Sequence, residues 1–497
     1  MLLRVLGHKF HYECENLCRM FYPYRDIKVV YDRADDGDNI IETQLIERSE
    51  SGVCESGKGA EIKLIVSADI DGASVCLEKN VSCPKDSDDC EYEMAVLLFE
   101  ALKKITGYTP EWGILTGVRP SKLMLRLISS MGHDGAHDYF RNRLFVSEEK
   151  TLLTSKVVKR EEAIIASSRP DSFSLYVAIP FCPSRCSYCS FVSHSITAPN
   201  AKKLVPAYVG KLCDEIRATG KIASSLGLRL ESVYFGGGTP TSLSAEDLDL
   251  LCTAVGESFN LSSAREYTVE AGRPDTITRE KLDALIRNGV GRISINPQTL
   301  NDEILAGIGR KHNSAQVIEA FNMAREAGFK NINTDVIAGL SGDTSDSFEY
   351  TLNTLADLSP ENITVHTLAL KRASELVTDG KELLTDADTV SKMLGFAQNK
   401  LTESGYMPYY MYRQSKCIGN HENVGWCKEG FDCLYNVFMM EECHTVLAVG
   451  AGAVTKLCRD SGKYVERVFN FKYPYEYINR FTELEERKNR IIEFYQS

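Results

Sequence analysis

No apolar run in this 497-residue chain approaches the ~20 residues a membrane-spanning helix needs, so a helical membrane protein is not expected. Positive charge is also short. Lys and Arg number 57 against 69 Asp and Glu, and the net charge of -12 argues against broad attraction to nucleic acid or anionic membranes. The first residues, MLLRVLGHKFHYECEN, lack the apolar core of an export signal and turn acidic early, so a cytoplasmic address is expected. Low-complexity tracts and fine-period repeats are missing as well. What remains is 43% hydrophobic and 25% charged, the composition of an ordinary globular protein. The chain is long enough for two or three domains.

Cysteine, by contrast, is plentiful. Sixteen cysteines without an export signal point to free thiols and metal ligands rather than disulfides. One group is tight: in YVAIPFCPSRCSYCSF, residues 176–191, Cys182, Cys186 and Cys189 form a CxxxCxxC array directly after the apolar run Leu175 to Ile179. Three thiolates cannot lie along a regular strand and still converge, so a loop is required, and Pro180 and Pro183 supply its stiff turns. Three soft sulfurs suit an iron–sulfur cluster or zinc, and the usual fourth ligand is missing. On a 4Fe-4S cluster, one iron would stay open. Cys14 with Cys18, and Cys83 with Cys90, read as structural thiols. Cys417, Cys427, Cys433 and Cys443 are loosely spaced and leave a second metal site open.

Up to about residue 90 the chain reads as β-rich, with β-branched runs at Ile27 to Tyr31, Ile41 to Ile46 and Glu61 to Ser67, and a helix follows from Glu91 to Thr106. Gly117 and Pro120 break a turn ahead of an amphipathic helix, charged helical stretches continue to about Ser168, and Ser167 to Ser174 reads as a linker. Strands and helices then alternate. Strands are expected at Leu175–Ile179, Ser232–Phe235, Tyr267–Glu270, Arg292–Asn296, Ile332–Ala338 and Ile363–Leu370. Leu248, Leu251, Cys252 and Val255 form a helical stripe behind a start at Ser244. Phe348, Leu352, Leu355 and Leu358 form another. Six βα units in a row imply an α/β fold whose parallel sheet curls into a partial or full barrel.

Chemistry in such folds collects at the carboxyl ends of the strands. There the sequence places the cysteine loop, the turn Gly236-Gly237-Gly238-Thr239-Pro240, Glu270, Gln298 with Arg310 twelve residues on, Asp335, and His366 with Ala369. Glycines without a Cβ permit close approach of another group to the backbone. Arg310 can pair with a carboxylate, while Asp335 and Glu270 can accept from hydroxyls or an ammonium.

The cysteine array followed by GGGTP resembles the radical S-adenosylmethionine (SAM) superfamily. YVAIPFCPSRCSYC, YFGGGTPTSL, VEAGRPD, RISINPQTLND, IGRKHN and NTDVIAGLSG together resemble the oxygen-independent coproporphyrinogen III dehydrogenase family. The N-terminal extension, TGVRPSKL, VHTLALKRAS and GNHENVGW are similar to its HemZ-like branch. The resemblance covers about residues 170 to 460. It implies a 4Fe-4S cluster on Cys182, Cys186 and Cys189, with SAM chelated at the open iron and cleaved by one electron to a 5′-deoxyadenosyl radical. Tyr176, Tyr188, Gly237, Gly238, Thr239, Glu270, Gln298, Arg310, Asp335, Ala369 and Val454 would be its cofactor contacts. The implied organisation is an N-terminal α+β domain over 1–165, a barrel core over 170–400 and a C-terminal extension covering the site over 401–497.

The implied reaction removes a hydrogen from each of two propionates of coproporphyrinogen III, releases carbon dioxide and leaves the vinyl groups of protoporphyrinogen IX. It calls for a porphyrinogen substrate, a reductant such as flavodoxin or ferredoxin, and an electron acceptor that the motifs do not identify. Arg273, Lys311, Arg372 and Arg413 are candidate partners for the substrate carboxylates. Ala178 stands where the well-characterised dehydrogenases carry histidine, and Phe191 stands where they carry a fourth cysteine. Phe191 is shared with the HemW group of haem chaperones, whose HNxxYW motif has HENVGW, His421 to Trp426, as its nearest counterpart here. A haem-transfer protein and a radical SAM enzyme on another substrate therefore remain alternative readings.

Overall fold

The computed structural model describes residues 1–23, 25–35, 37–47, 61–191, 193–369, 385–414, 416–460 and 462–496. The chain divides into two compact units, Met1–Leu153 with Arg413–His421, and Thr154–Tyr412 with Glu422–Ser497. No helix among the described residues is long and apolar enough to cross a membrane.

The first unit is built on strands β1 (Leu2–Leu6), β2 (Lys28–Val30), β3 (Ile40–Glu47), β4 (Glu61–Ile70) and β5 (Ala73–Ser82), ordered β2-β1-β3-β4-β5. Alternation in β3 and β4 sends Ile41, Thr43, Leu45, Ile62, Leu64 and Val66 inward, as a sheet with one covered face requires. The Asp71-Gly72 pair, at φ of 52° and 81°, makes the tight hairpin between β4 and β5. Sequence patterning missed β5, whose exposed, mixed residues carry little alternation. The helix Asp88–Thr106 starts where Ser87 accepts from the Cys90 amide and ends at left-handed Gly107. The segment 413–421 belongs to this unit: Arg413 donates to the carbonyls of Leu115 and Gly117 and stacks over Trp112, 5.2 Å from the ring centre.

The second unit carries strands β6 (Ser172–Ile179), β7 (Phe181–Cys182), β8 (His194–Ser195), β9 (Arg229–Gly237), β10 (Glu266–Glu270), β11 (Arg292–Ser294), β12 (Asn331–Ala338) and β13 (Asn362–Thr367). β14 (Met407–Arg413), β15 (Glu422–Cys427), β16 (Thr445–Val449), β17 (Val454–Arg459) and β18 (Tyr464–Phe469) follow. The six expected strands are parallel neighbours in the order β13-β12-β11-β10-β9-β6. On one side β15 pairs antiparallel with β13. On the other, β16 runs parallel to β6 before antiparallel β17 and β18. The sheet is therefore open, a partial barrel extended at both edges.

Its period-2 alternation separates two chemistries. Phe173, Leu175, Val177, Ile179, Val233, Phe235, Val269, Ile293 and Ile332 share one core with Leu212, Ile216, Leu248, Leu251 and Leu285 of the covering helices. The intervening residues face the other way and are largely polar. Ser174 meets Ser232 at 2.7 Å, Asn333 donates to Ser294 at 2.7 Å, and Thr364 donates to Asn333 at 3.1 Å. Helix starts are fixed by side-chain caps at Ser244, Thr278, Asn313 and Thr344, each satisfying an amide of the first turn.

Beyond β16, the turn Gly450-Ala451-Gly452-Ala453 is anchored to the helices Ala201–Ser225 and Phe481–Gln496 through buried Glu215. This carboxylate accepts from the Gly450 amide at 2.7 Å, Tyr477 at 2.6 Å, Asn470 at 2.8 Å and the buried Lys488 ammonium at 2.9 Å. Lys488→Met leaves the carboxylate without its counter-charge and should cost about 3–5 kcal/mol, read as urea unfolding at lower concentration. Lys488→Arg, which can retain the pair, should cost much less. Equal losses in the two variants would assign the effect to helix packing instead.

Candidate functional site

The cysteine loop leaves β6 at Pro180 and is closed by the short β7–β8 pair, with the His194 amide on the Pro180 carbonyl at 2.8 Å and the Ile196 amide on Cys182 at 3.0 Å. Two other segments clamp it. The glycine turn after β9 donates from Gly238 to the Ile179 carbonyl and from Thr239 to the Phe181 carbonyl, both at 2.7 Å. A Cβ on Gly238 would fall 2.5 Å from the Phe181 oxygen, so the bare backbone that the sequence suggested for a ligand is needed first by the loop itself. From the other side, the Ser187 amide donates to Ile308 at 3.1 Å and the Ser184 hydroxyl to Gly309 at 2.9 Å.

Within the loop the Cys189 amide turns back onto the Cys186 carbonyl at 3.0 Å. The Cys182 sulfur lies 3.6 Å from the Thr239 hydroxyl, and Cys186 accepts from Arg273 at 3.6 Å. Burial pushes the Cys182 and Cys189 thiols up from their ordinary value. No disulfide joins any of the fifteen described cysteines. Among the described residues, no three His, Cys, Asp or Glu side chains are grouped as a single metal ion would require. Three thiols spaced round one loop fit a cluster, which takes each cysteine on a separate iron. Cys427 and Cys433 instead face Asp432 at 3.5 Å and Glu266 at 3.3 Å.

The carboxyl ends of the neighbouring strands bring most of the expected residues together. Arg310 is buried and reaches the Gly272 carbonyl at 3.1 Å, the Asn296 carbonyl at 2.6 Å and the Tyr188 phenol at 3.1 Å, while its Nε has no partner. These acceptors are neutral, so the guanidinium keeps a buried positive charge suited to an incoming carboxylate. Gln298 adopts φ 71° and is pinned between β12 amide and carbonyl groups, donating to Asp335 at 2.9 Å and accepting from Ile337 at 3.0 Å. Its Oε1 is buried without a partner. Left-handed backbone on a non-glycine residue costs about 1–3 kcal/mol and gathers at ligand sites. An unsatisfied amide oxygen and an unsatisfied guanidinium nitrogen are what an amino-acid-bearing cofactor would complete.

Asp335 accepts from Asn333 at 2.7 Å and lies 3.7 Å from His366. Burial alone would raise its carboxyl, but the His366 hydrogen bond and charge, with Asn333 and Thr364, bring it below the ordinary value. Glu270 accepts from the Tyr234 phenol at 2.7 Å, and burial, reinforced by Asp335, lifts it from 4.5 to about 7. Tyr176 is one of three near-parallel rings: its centroid lies 6.3 Å from Tyr234 and 6.0 Å from Tyr435, which are 4.4 Å apart. Ala369 follows β13. Val454 opens β17, next to Ala453, which packs with Tyr176, Ala178 and Ala448.

Sequence reasoning missed Tyr234 and Tyr435. The first was open to inference, as the residue two before Gly236 on the polar face of β9. The second arrives on a helix, Leu434–Glu441, with no motif to mark it. Arg273, expected at the substrate, is buried against the cysteine loop, and Arg413 is committed to the first unit. Lys311 is exposed. Arg372 lies outside the described residues.

Comparison with known proteins agrees with this geometry. The radical SAM superfamily matches residues 176–355. The chain is 35% identical to the oxygen-independent coproporphyrinogen-III oxidase-like protein HemZ of Bacillus subtilis, over 98% of this chain and 96% of that one. It is 32% identical to the heme chaperone HemW of the same organism over 52% of this chain and 68% of that one. The structure of coproporphyrinogen III oxidase (HemN) from Escherichia coli, described as a radical SAM enzyme, aligns with a TM-score of 0.52 and 25% identity, covering 65% of this chain and 72% of that one. The fold and cysteine site define a radical SAM protein, and the chain belongs to the HemN/HemZ-like family within that superfamily. The superfamily works with a 4Fe-4S cluster and SAM, and the three thiols and the open polar atoms of Gln298 and Arg310 fit both.

The raised Glu270 carboxyl has a consequence in the apoprotein. Below about 4.5 the group is neutral in folded and unfolded chains alike. As pH rises, the unfolded chain ionises first, so stability falls until the folded group titrates near 7. Glu270→Gln should flatten this decline between about pH 5 and about pH 8, followed by urea unfolding. An unchanged slope would mean that Glu270 is ionised throughout.

Proposed function

We propose that this protein is an anaerobic radical SAM enzyme that oxidatively decarboxylates the propionates of coproporphyrinogen III to vinyl groups, giving protoporphyrinogen IX. The observation that carries this reading is the nearly end-to-end likeness to a coproporphyrinogen-III oxidase-like protein, including the N-terminal unit. Relatives named for coproporphyrinogen III oxidase itself, 30% identical over 47% of this chain, support it.

In this reading Cys182, Cys186 and Cys189 hold the cluster. Gly237, Gly238 and Thr239 line the methionine part of SAM, and Arg310 takes its carboxylate. Gln298, Asp335 and Glu270 meet its remaining polar groups, with Tyr176, Tyr188, Ala369 and Val454 around them. When bound, the cluster and SAM supply a hydrogen-abstracting radical. Each propionate then loses one hydrogen atom, carbon dioxide and one electron, so a reductant such as flavodoxin or ferredoxin and a separate acceptor are both needed. A reducing, cytoplasmic setting suits a chain whose described cysteines form no disulfide.

The haem-chaperone alternative draws on the HemW likeness. His421, its candidate ligand, is 2% exposed and lies 3.7 Å from Glu111, which leaves little ring surface for a metal.

Anaerobic reconstitution with iron and sulfide, followed by dithionite, SAM and coproporphyrinogen III, tests the proposal. Vinyl product and 5′-deoxyadenosine should form together. Gln298→Ala should lower both by about 100-fold, the scale of one lost preorganised contact, while Cys186→Ala should lose the 4Fe-4S absorbance. Deoxyadenosine without vinyl product would reassign the substrate. Tight haem binding without turnover would favour the chaperone.

A further inference from the structure

After β10 the chain turns through Ala271-Gly272-Arg273-Pro274-Asp275 and meets the cysteine loop. Arg273 is 3% exposed. Its Nη1 donates to the Cys186 sulfur at 3.6 Å and to the Ser184 carbonyl at 3.4 Å, and its Nη2 donates to the Ser184 hydroxyl at 3.0 Å. On its other side, Nε and Nη2 reach the two Asp275 oxygens at 3.2 and 3.4 Å. Asp275 lies in turn 3.4 Å from the Nδ1 of buried His312. Burial alone would lift the Asp275 carboxyl, but the close approach of His312 and the Arg273 charge and hydrogen bonds hold it down to about 2. One planar fork thus ties the turn after β10 to the cysteine loop while holding Asp275, a task lysine's single ammonium cannot perform.

This arrangement bears on electron entry, given the radical SAM reading on which it rests. Reducing a cluster adds negative charge to iron and sulfur, and hydrogen bonds to the sulfurs and nearby charges set its potential. A buried guanidinium on a ligand sulfur favours the reduced state. A carboxylate behind it opposes that effect.

We propose that Arg273 is a positioning residue for the cluster: it fixes Cys186 and raises the cluster's reduction potential, with Asp275 as the opposing charge. None of the motifs assigns it this part.

Redox titration of the reconstituted full-length protein, followed by electron paramagnetic resonance with iron and sulfide counted, tests this. Arg273→Gln should keep the cluster but shift the one-electron equilibrium about tenfold toward the oxidised state, about 59 mV downward. Arg273→Lys should fall between Gln and wild type. Asp275→Asn should shift the other way. If Arg273→Gln loses its iron, the Lys and Asn variants decide the matter by the same opposed shifts. A purely structural strut would lower iron content without moving the potential of the clusters that remain, and equal potentials or shifts of one sign would overturn the proposal. A wild-type protein that takes up no 4Fe-4S cluster would overturn the radical SAM reading itself, a result distinct from normal loading with unmoved variants.

Discussion

Everything at the site depends on main chain lying against main chain where β6 and β9 end. Gly238 and Thr239 donate into the carbonyls of Ile179 and Phe181, and the approach is too close for any side chain at Gly238. That contact turns the cysteine loop from a flexible excursion into an extension of the sheet. The loop in turn offers Ser184, Cys186 and Ser187 to the segments after β10 and β11, so three consecutive βα units grip one ligand-bearing element. Loops so held can carry chemistry because their positions come from the scaffold rather than from their own sequence.

The six parallel strands were legible because each carries a period of two, with apolar residues toward the helices and polar ones toward the site. Ser244 marked a helix start for an equally local reason. The carboxyl-end rule then pointed to Glu270, Gln298 and Asp335 before any contact was known. What stayed hidden depends on partners remote in the chain. Tyr435 completes the tyrosine stack from a helix whose sequence is merely apolar, and β16 joins the sheet after an interval of over 200 residues from β6. The left-handed backbone of Gln298 was equally invisible, since nothing in a glutamine announces a positive φ. Arg273 was noticed as a cation, but nothing in its own stretch announced the Cys186 sulfur beside it.

The inner face also shows how burial is reconciled with polarity. Ser174, Ser232, Ser294, Asn333 and Thr364 are buried yet bonded to one another across strands. Such a network is stable only when its members are satisfied. Gln298 Oε1 and Arg310 Nε are buried without a partner, and Arg310 reaches the cysteine loop through Tyr188.

The segment Arg413–His421 sets a limit on taking the molecule apart. It is contributed to the first unit by chain that lies between β14 and β15 of the second, so the polypeptide passes between units at three places along its length. Residues 1–153 made alone would lack the guanidinium over Trp112 and the groups that cap the Leu115 and Gly117 carbonyls. The N-terminal unit is therefore not a detachable module added to a radical SAM core. A single cut after residue 153 cannot release the first unit whole, since one of its segments would stay on the other fragment.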